Sequence, residues 1–584
     1  MSPLQRARRR AVVAFAACLK RAVVDTRIGW RDHVIGAALA LAYVTWLVAT
    51  ARGVGFPRDE GTYFHAASQY AAWWRMLFER PSDALQAGTI DSAWSFNHEH
   101  PALMKTLFGL SEYFLHEKWP IFADASTAYR LPGMATAGIA VWTTYLFGAR
   151  AWSRRAGFVA AAVFALMPRV FFHAHLACFD VPITSMWILC VYVHWRATER
   201  RGTGWTLAVG VVFGMALETK HNAWMLPLVL VPHALFVHRR AILRGLSVGR
   251  LSMPTSILSM AIVGPIVFYA LWPYLWRDTL ARAQGYVEFH LNHEYYNIEF
   301  LGKNYFGPPS PKSYLPVMVL ATVPTVTLVL FGVGAVDRAI DGMRRLRAWV
   351  RGTFKRSDVL QERAYRRDAR ETDLLLALAL IVPISFFFLP ATPIFGGTKH
   401  WMTAYPVLAL FAGRGFDIVA SRMRSVFPAL DGRRWLAAQM ALGTCVVIAP
   451  LAITAHAFPF GLSSYVPLVG GTAGGADLGL NRQFWGFTSQ NAAEEYLNKE
   501  APSGASIFIH DTTWDAWARM QQEGRVRADF RAAGAPSEAN LALLQHELHM
   551  SEVDYSIWVA FGTDAPLHIV EHDGVPIVSI YRRP

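Results

Sequence analysis

Asp59 and Glu60 stand side by side just after the first long apolar segment of a 584-residue chain. A carboxylate at the end of a membrane span can take a proton from an acceptor hydroxyl, the work of a general base. Comparable groups recur where other apolar segments end on the same side: His98, Glu99, His100 and Lys105; His173, His175 and Asp180; Glu218, Lys220, His221 and Asn222; Lys399 and His400. Any one of them reads equally well as a polar group resting in wet headgroup territory. Three short turns that each carry such groups point to a shared cavity. Lys220 and Lys399, with Lys105 and the histidines nearby, would attract a compact anion such as phosphate. A phosphate whose charge is compensated is a competent leaving group. One carboxylate and one basic pocket therefore suffice for a transferase that uses a lipid phosphate.

The elements that must hold these groups are membrane helices. Hydrophobic residues make up 53% of the chain and charged residues 17%, and mean hydropathy is positive, which disfavours a soluble multidomain protein. Apolar runs approaching the length a span needs, about 20 residues, lie near 33–51, 131–149, 156–172, 181–195, 204–218, 223–237, 252–272, 314–336, 374–390, 401–420 and 435–456. The net charge of +14 follows topology and not nucleic acid. Residues 1–31 and the loops 150–155, 196–203, 238–251, 337–373 and 421–434 hold 33 of the 56 Lys and Arg, while the segments 173–180, 218–222 and 391–400 hold only Lys220 and Lys399. By the positive-inside rule the N-terminus is inside a cytoplasmic (inner) membrane, the protein is multi-pass, and the C-terminal region is outside.

Three parts follow. Residues 1–32 are a basic segment whose short apolar run Ala11–Leu19 suits an amphipathic helix on the inner face. Residues 33–456 are the transmembrane domain, with a first outer loop at 52–130 in which Tyr63–Phe78 has helical spacing. Residues 457–584 read as a small α/β domain outside the membrane. In it Ala492–Asn498 and Leu541–His549 read as helical, and Ser506–His510, Tyr555–Phe561 and Pro576–Tyr581 as strands. Its Asp511, Asp515, His546 and His549 read as surface groups or local caps.

The loop 278–313 is rich in aromatic and amide side chains, suited to sugar stacking and hydroxyl recognition and equally to the headgroup interface. Tyr295 and Tyr296 are the candidates within it, and a mobile loop over the substrate is the sharper form of that reading. Cys18, Cys178, Cys190 and Cys445 imply neither a disulfide framework nor a thiolate metal site. His98-x-His100 with Glu99, and His173-x-His175, invite a divalent ion, although residues two apart on a helix point in different directions. Metal ligands are left unknown; the cofactor reading is none, with a divalent metal ion as the alternative. The chain has no phosphate loop and no Gly-rich dinucleotide turn, which favours a lipid-linked sugar over a nucleotide sugar.

Several of these residues sit in motifs. Phe56-Pro57-Arg58-Asp59-Glu60-Gly61, His100-Pro101-Ala102-Leu103-Met104-Lys105, Asp180-Val181-Pro182, Glu218-Thr219-Lys220, and Lys399-His400-Trp401 with Tyr405-Pro406 occur in that order. The set resembles the GT-C class of membrane glycosyltransferases, in particular the protein O-mannosyltransferase and aminoarabinose transferase families, over roughly residues 30–420. Ala102 stands where those families carry a second proline. The resemblance implies a GT-C fold of about eleven transmembrane helices. It also implies inverting transfer of a sugar from a polyprenyl-phosphate carrier to a hydroxyl of a protein, lipid or glycan, within a membrane whose lipids the protein contacts. In that reading Asp59 is the base, Glu60 and Asp180 orient sugar or acceptor, Lys105, Lys220, Lys399 and His400 hold the donor phosphate, and His100 belongs to the substrate pocket. Two structural alternatives stand beside these roles: Asp180 capping the helix that begins at Pro182, and Glu60 pairing with Arg58. A transporter or flippase of lipid-linked or polar solutes, and an inactive assembly subunit, are the rival classes. A transporter would place polar groups at mid-depth and repeat broken helices, and neither pattern is visible in the sequence.

Overall fold

The computed structural model describes residues 28–584 except 200–201, 248–252, 351–358, 391, 393, 395–396, 428–431, 484, 486–490 and 548–550. The expected amphipathic run Ala11–Leu19 lies outside the described residues. The chain is a helical membrane protein. Each of the eleven apolar runs falls on a helix or a bent pair of helices: Trp30–Thr50, Ala125–Ala151, Arg154–Ala165 with Pro168–Ala174, Asp180–Glu199, Thr203–Leu217, Leu226–Ser247, Thr255–Leu271, Tyr314–Thr322 with Thr325–Val350, Val359–Ser385, Tyr405–Val426 and Gly432–Ala457. Among the described residues four helices qualify as spans by length and composition alone, or six if each bent pair is one span. Thr203–Leu217 and Thr255–Leu271 are apolar but shorter. Asp180–Glu199 is buried along most of its length.

Two spans expected as continuous are broken, and proline accounts for both. The helix from Arg154 begins with the Ser153 hydroxyl accepting from the Ala156 N–H at 3.1 Å. It turns by 69° before Pro168, whose ring has no N–H to continue the ladder. Tyr314–Thr322 turns by 118° into the next helix at Val323-Pro324. That next helix and Tyr405–Val426 approach through glycine. A Cβ on Gly334 would lie 1.9 Å from the Phe411 carbonyl and one on Gly415 2.0 Å from the Leu330 carbonyl, the close backbone contact that small residues permit in membranes. The basic stretch 337–373, expected as a loop, continues the flanking helices to Val350 and from Val359, since a charged helix end can project beyond the apolar layer. At the same end, ion pairs tie neighbouring helices: Arg154 to Asp32 at 2.6 Å, Arg155 to Asp417 at 2.6 Å and Arg414 to Asp337 at 3.1 Å.

The opposite end carries the loop 52–130 and the C-terminal domain. The loop folds as the helices Arg58–Glu79 and Leu103–Glu112 with short helical turns between them. Residues 278–313, expected as a loop, form the helix Thr279–Leu291 and the hairpin β1 (Ile298–Phe300) and β2 (Lys303–Tyr305), whose Gly302 N–H donates to the Gly479 carbonyl at 2.9 Å.

The C-terminal domain is a five-stranded mixed sheet in the order β4-β3-β5-β7-β6, with strands β3 (Ser506–Ile509), β4 (Arg531–Ala532), β5 (Leu541–Gln545), β6 (His568–His572) and β7 (Val575–Arg582). The helix at Asn491–Glu500 and the strands at 506 and 576 fall where expected. Two assignments are exchanged. Leu541–His549, read as helical, opens as β5, buried at all five positions between β3 and β7. Tyr555–Phe561, read as a strand, belongs to the helix Ser551–Phe561, which buries Ile557 and Phe561 one turn apart against the sheet. Packing overrides local propensity in both cases, within the sheet for β5 and against it for the helix.

The domain packs directly on the helix that carries the acidic pair. A Cβ on Gly61 would lie 2.4 Å from the Thr513 hydroxyl and 2.6 Å from the Ala516 nitrogen. Glycine there lets the helix Trp514–Gln522 rest against the helix Arg58–Glu79. The core is continuous across this junction.

Candidate active site

One cavity of about 1040 Å³ opens at the end of the bundle that carries the C-terminal domain. Asp59, His100, Asp180, Lys220, Tyr296, Lys399 and His400 all line it, so the structure brings together most of the groups singled out from the sequence. They arrive from separate elements. Asp59 is in the first turn of Arg58–Glu79, where the helix N-terminus favours a carboxylate. Asp180 begins the helix Asp180–Glu199, and Lys220 follows Thr203–Leu217. Lys399 and His400 lie on a short turn that leads into Tyr405–Val426.

Asp59 and Lys399 are joined by a residue of the C-terminal region. The Trp485 indole N–H donates to the Asp59 carboxylate, and the Lys399 ammonium sits 4.0 Å from the centre of the same indole. Trp485 holds this position with φ +72, a left-handed backbone that is unusual for so bulky a side chain. Its carbonyl accepts from the Arg58 N–H at 3.1 Å. The Arg58 guanidinium touches Asp59 at 3.3 Å and Asp511 of the C-terminal domain at 3.0 Å. Asp511 and Glu547 also line the cavity.

Asp180 does not act as a simple helix cap. Its carboxylate accepts from Lys220 at 2.6 Å and lies 3.7 Å from His173. Lys220 and Lys399 thus bring two ammonium groups to the same wall, each steadied by a named neighbour. Around them Tyr63, Phe179, Trp224, Phe289 and Phe387 supply apolar surface, the mixture expected of a pocket for a ligand with both ring and ionic parts. Burial, with Lys105 close by, depresses the His100 imidazole well below its usual value, and burial brings His290 to about 4. Both are neutral near pH 7. The positive charge of the cavity wall comes from Lys220, Lys399 and Arg58.

Three candidates lie away from the cavity wall. Glu60 is fully buried and forms a two-pronged pair with Arg130, at 2.8 and 2.6 Å, while accepting from the Ala177 N–H at 2.7 Å. Its partner is therefore Arg130 and not Arg58. Arg130 also donates to the carbonyls of Ala51, Val54 and Gly55, so this pair fixes the chain just before Asp59. Lys105 is likewise fully buried, its ammonium held by the Tyr70 hydroxyl at 3.2 Å, by both the Asn97 carbonyl and side-chain oxygens, and by the His100 carbonyl at 2.9 Å. It shapes the Asn97–His100 turn that faces the cavity. Tyr295 turns aside to the Ser310 hydroxyl at 3.0 Å.

The two histidine pairs considered for a metal are each split. His175 is bound between the Thr50 hydroxyl and the Phe171 carbonyl, both at 2.8 Å, while His173 faces Asp180. His98 bonds the Ser95 carbonyl at 2.6 Å and stacks near Tyr274, in a second cleft of about 470 Å³, while His100 faces the main cavity.

Sequence reasoning missed the C-terminal contribution. Asp511 and Asp515 read as surface groups, yet Asp511 meets Arg58 and Asp515 meets His65 at 3.1 Å. Trp485 has no motif around it, and only its seat beside Asp59 reveals it.

Residues 110–269 match the family model described as dolichyl-phosphate-mannose-protein mannosyltransferase. The segment includes Asp180, Glu218 and Lys220, and the match bears out the resemblance drawn from the motifs. No curated protein matches the chain by sequence. Among solved structures it is similar to ArnT from Cupriavidus metallidurans bound to undecaprenyl phosphate, at 13% identity and a TM-score of 0.42, over 94% of this chain and 97% of that one. It is also similar to the oligosaccharyltransferase AglB from Archaeoglobus fulgidus in complex with an inhibitory peptide and a dolichol-phosphate, at 10% identity and a TM-score of 0.44, over 86% of this chain and 65% of that one.

Proposed function

We propose that the protein is an inverting glycosyltransferase that moves a sugar from a polyprenyl-phosphate carrier to an acceptor hydroxyl at the outer face of a cytoplasmic membrane. The observation that carries this reading is the meeting of one carboxylate, Asp59, with two ammonium groups, Lys220 and Lys399, in a single aromatic-walled cavity at one end of a membrane bundle. The family model matched by residues 110–269 supports the same class.

In this mechanism the donor phosphate lies toward Lys220, Lys399 and His400, with the polyprenyl chain leaving along the apolar helices. The acceptor hydroxyl approaches Asp59. As its oxygen attacks the anomeric carbon, its proton passes to a free lone pair of the Asp59 carboxylate, and the bond from that carbon to the phosphate oxygen breaks. The electron pair stays on the polyprenyl phosphate, where the lysines compensate the added charge. Attack from the side opposite the leaving phosphate inverts the anomeric configuration. Trp485 and Arg58 hold Asp59 by hydrogen bonds to the charged carboxylate, which fixes its direction. Asp180 holds Lys220, and Tyr296 and His100 face the sugar.

The test is incubation of the full chain, purified in lipid, with a panel of radiolabelled polyprenyl-phosphate sugars and candidate protein, lipid and glycan acceptors. Acceptor-dependent release of polyprenyl phosphate from one donor is the expected result and names the sugar. Failure of every donor to react, with labelled lipid moved across the bilayer instead, would overturn the assignment in favour of transport.

A further inference from the structure

We propose that His456, His572 and Asp573 form a binding site for a borderline divalent cation such as zinc, at the junction of the last membrane helix and the C-terminal domain. None of the three lines the cavity described above. His456 is in the last turn of Gly432–Ala457. His572 ends β6, and Asp573 with Gly574, at φ +53 and +72, makes the tight turn into β7. Their ligand atoms, two imidazole nitrogens and a carboxylate oxygen, all lie within 4.8 Å of one another.

Two of the three are held in place. The His572 ring stacks on Phe460 at 5.0 Å and its Nε2 meets the Ser464 hydroxyl at 2.9 Å, while that hydroxyl donates to the Phe460 carbonyl. Asp573 is fixed by the turn. The third ligand is adjustable: His456 is 65% exposed and reaches Asp573 Oδ1 at 2.7 Å. An ion pair between His456 and Asp573 would need no second imidazole. Yet His572 faces the same carboxylate, with Nε2 3.9 Å from Oδ2, and its ring lies 5.1 Å from that of His456. Two imidazoles converging on one carboxylate oppose each other when protonated. A cation that takes a lone pair from each uses all three groups. Zinc accepts His and Asp ligands at about 2.0–2.2 Å and binds water at a fourth position, and the exposed flank of His456 leaves room for that water. Rotation of the His456 ring closes the remaining distance, with the Ser464 contact of His572 exchanged for the metal. The bound ion would pin the β6–β7 hairpin to the end of the helix, and with it the domain that carries Trp485 and Asp511 to the cavity.

The experiment uses the full chain in detergent, stripped with chelator and dialysed against zinc, with zinc content and thermal midpoint measured for wild type, His456→Ala and Asp573→Asn. The expected result is that each variant retains one zinc equivalent fewer than wild type, and that zinc raises the midpoint of wild type alone. His290→Ala, which removes an imidazole of the main cavity, leaves the His456 difference in place. Equal zinc content and equal response to zinc in wild type and His456→Ala would overturn the site. Because His456 is exposed, that variant is expected to keep the fold, and an unchanged midpoint without zinc checks this.

Discussion

The two regions that build the cavity do so in different ways. The membrane bundle supplies Asp59, Asp180, Lys220 and Lys399 from helix ends and turns, and it supports them with buried contacts such as Glu60 with Arg130. The C-terminal region supplies Trp485 in a left-handed backbone and Asp511 from a loop after β3, also at positive φ. The domain decides how Asp59 and Lys399 are oriented, because one indole touches both. In this molecule the membrane helices bring both ammonium groups of the cavity, and one indole of the C-terminal domain touches Asp59 and Lys399 together.

The largest difference between the regions should appear in stability. Glu60→Ala leaves Arg130 buried with part of its partners gone and is expected to cost about 3–5 kcal/mol, read as a fall in the thermal or denaturant midpoint. A loss no greater than that of a surface substitution would show that the bundle does not depend on this pair. Lys399→Ala is expected to lower kcat/KM for the lipid donor by about 10²–10³, the scale of losing one group aimed at developing charge. Steady-state kinetics would show most of the loss in kcat. Trp485→Phe keeps a ring beside Lys399 but removes the N–H donated to Asp59, and roughly a tenfold loss in kcat is expected. No change there would mean that the domain covers the cavity without aiming its carboxylate. Asp511→Asn breaks an ion pair with the partly exposed Arg58, so its effect should stay under about 1 kcal/mol, below fivefold in rate.

What could be read from the sequence divides along the same line. Among the described residues each of the eleven apolar runs falls on a helix or a bent pair of helices, because burial in lipid needs a continuous apolar signal. The bends at Pro168 and Pro324 were visible as prolines but not as angles. Asp59, Asp180, Lys220 and Lys399 could be found because polar groups are few at the ends of such helices. Glu60 and Lys105 were found for the same reason, and only the structure distinguishes them from their neighbours, since a buried pair and a cavity group have the same sequence signature. In the C-terminal domain, Leu541–Gln545 and Tyr555–Phe561 carry local preferences that the sheet reverses. Trp485 left no signal because its role depends on contacts more than 400 residues away in the chain, such as that with Asp59.

Asp59 as the proton acceptor is the central assignment. The direct measurement is sugar transfer by wild type and Asp59→Asn in the same lipid, with binding of the polyprenyl-phosphate donor measured in parallel. Donor binding is expected to be retained while transfer falls by about 10² to 10⁴, the range a positioned base contributes. Transfer at the wild-type rate by Asp59→Asn would contradict it.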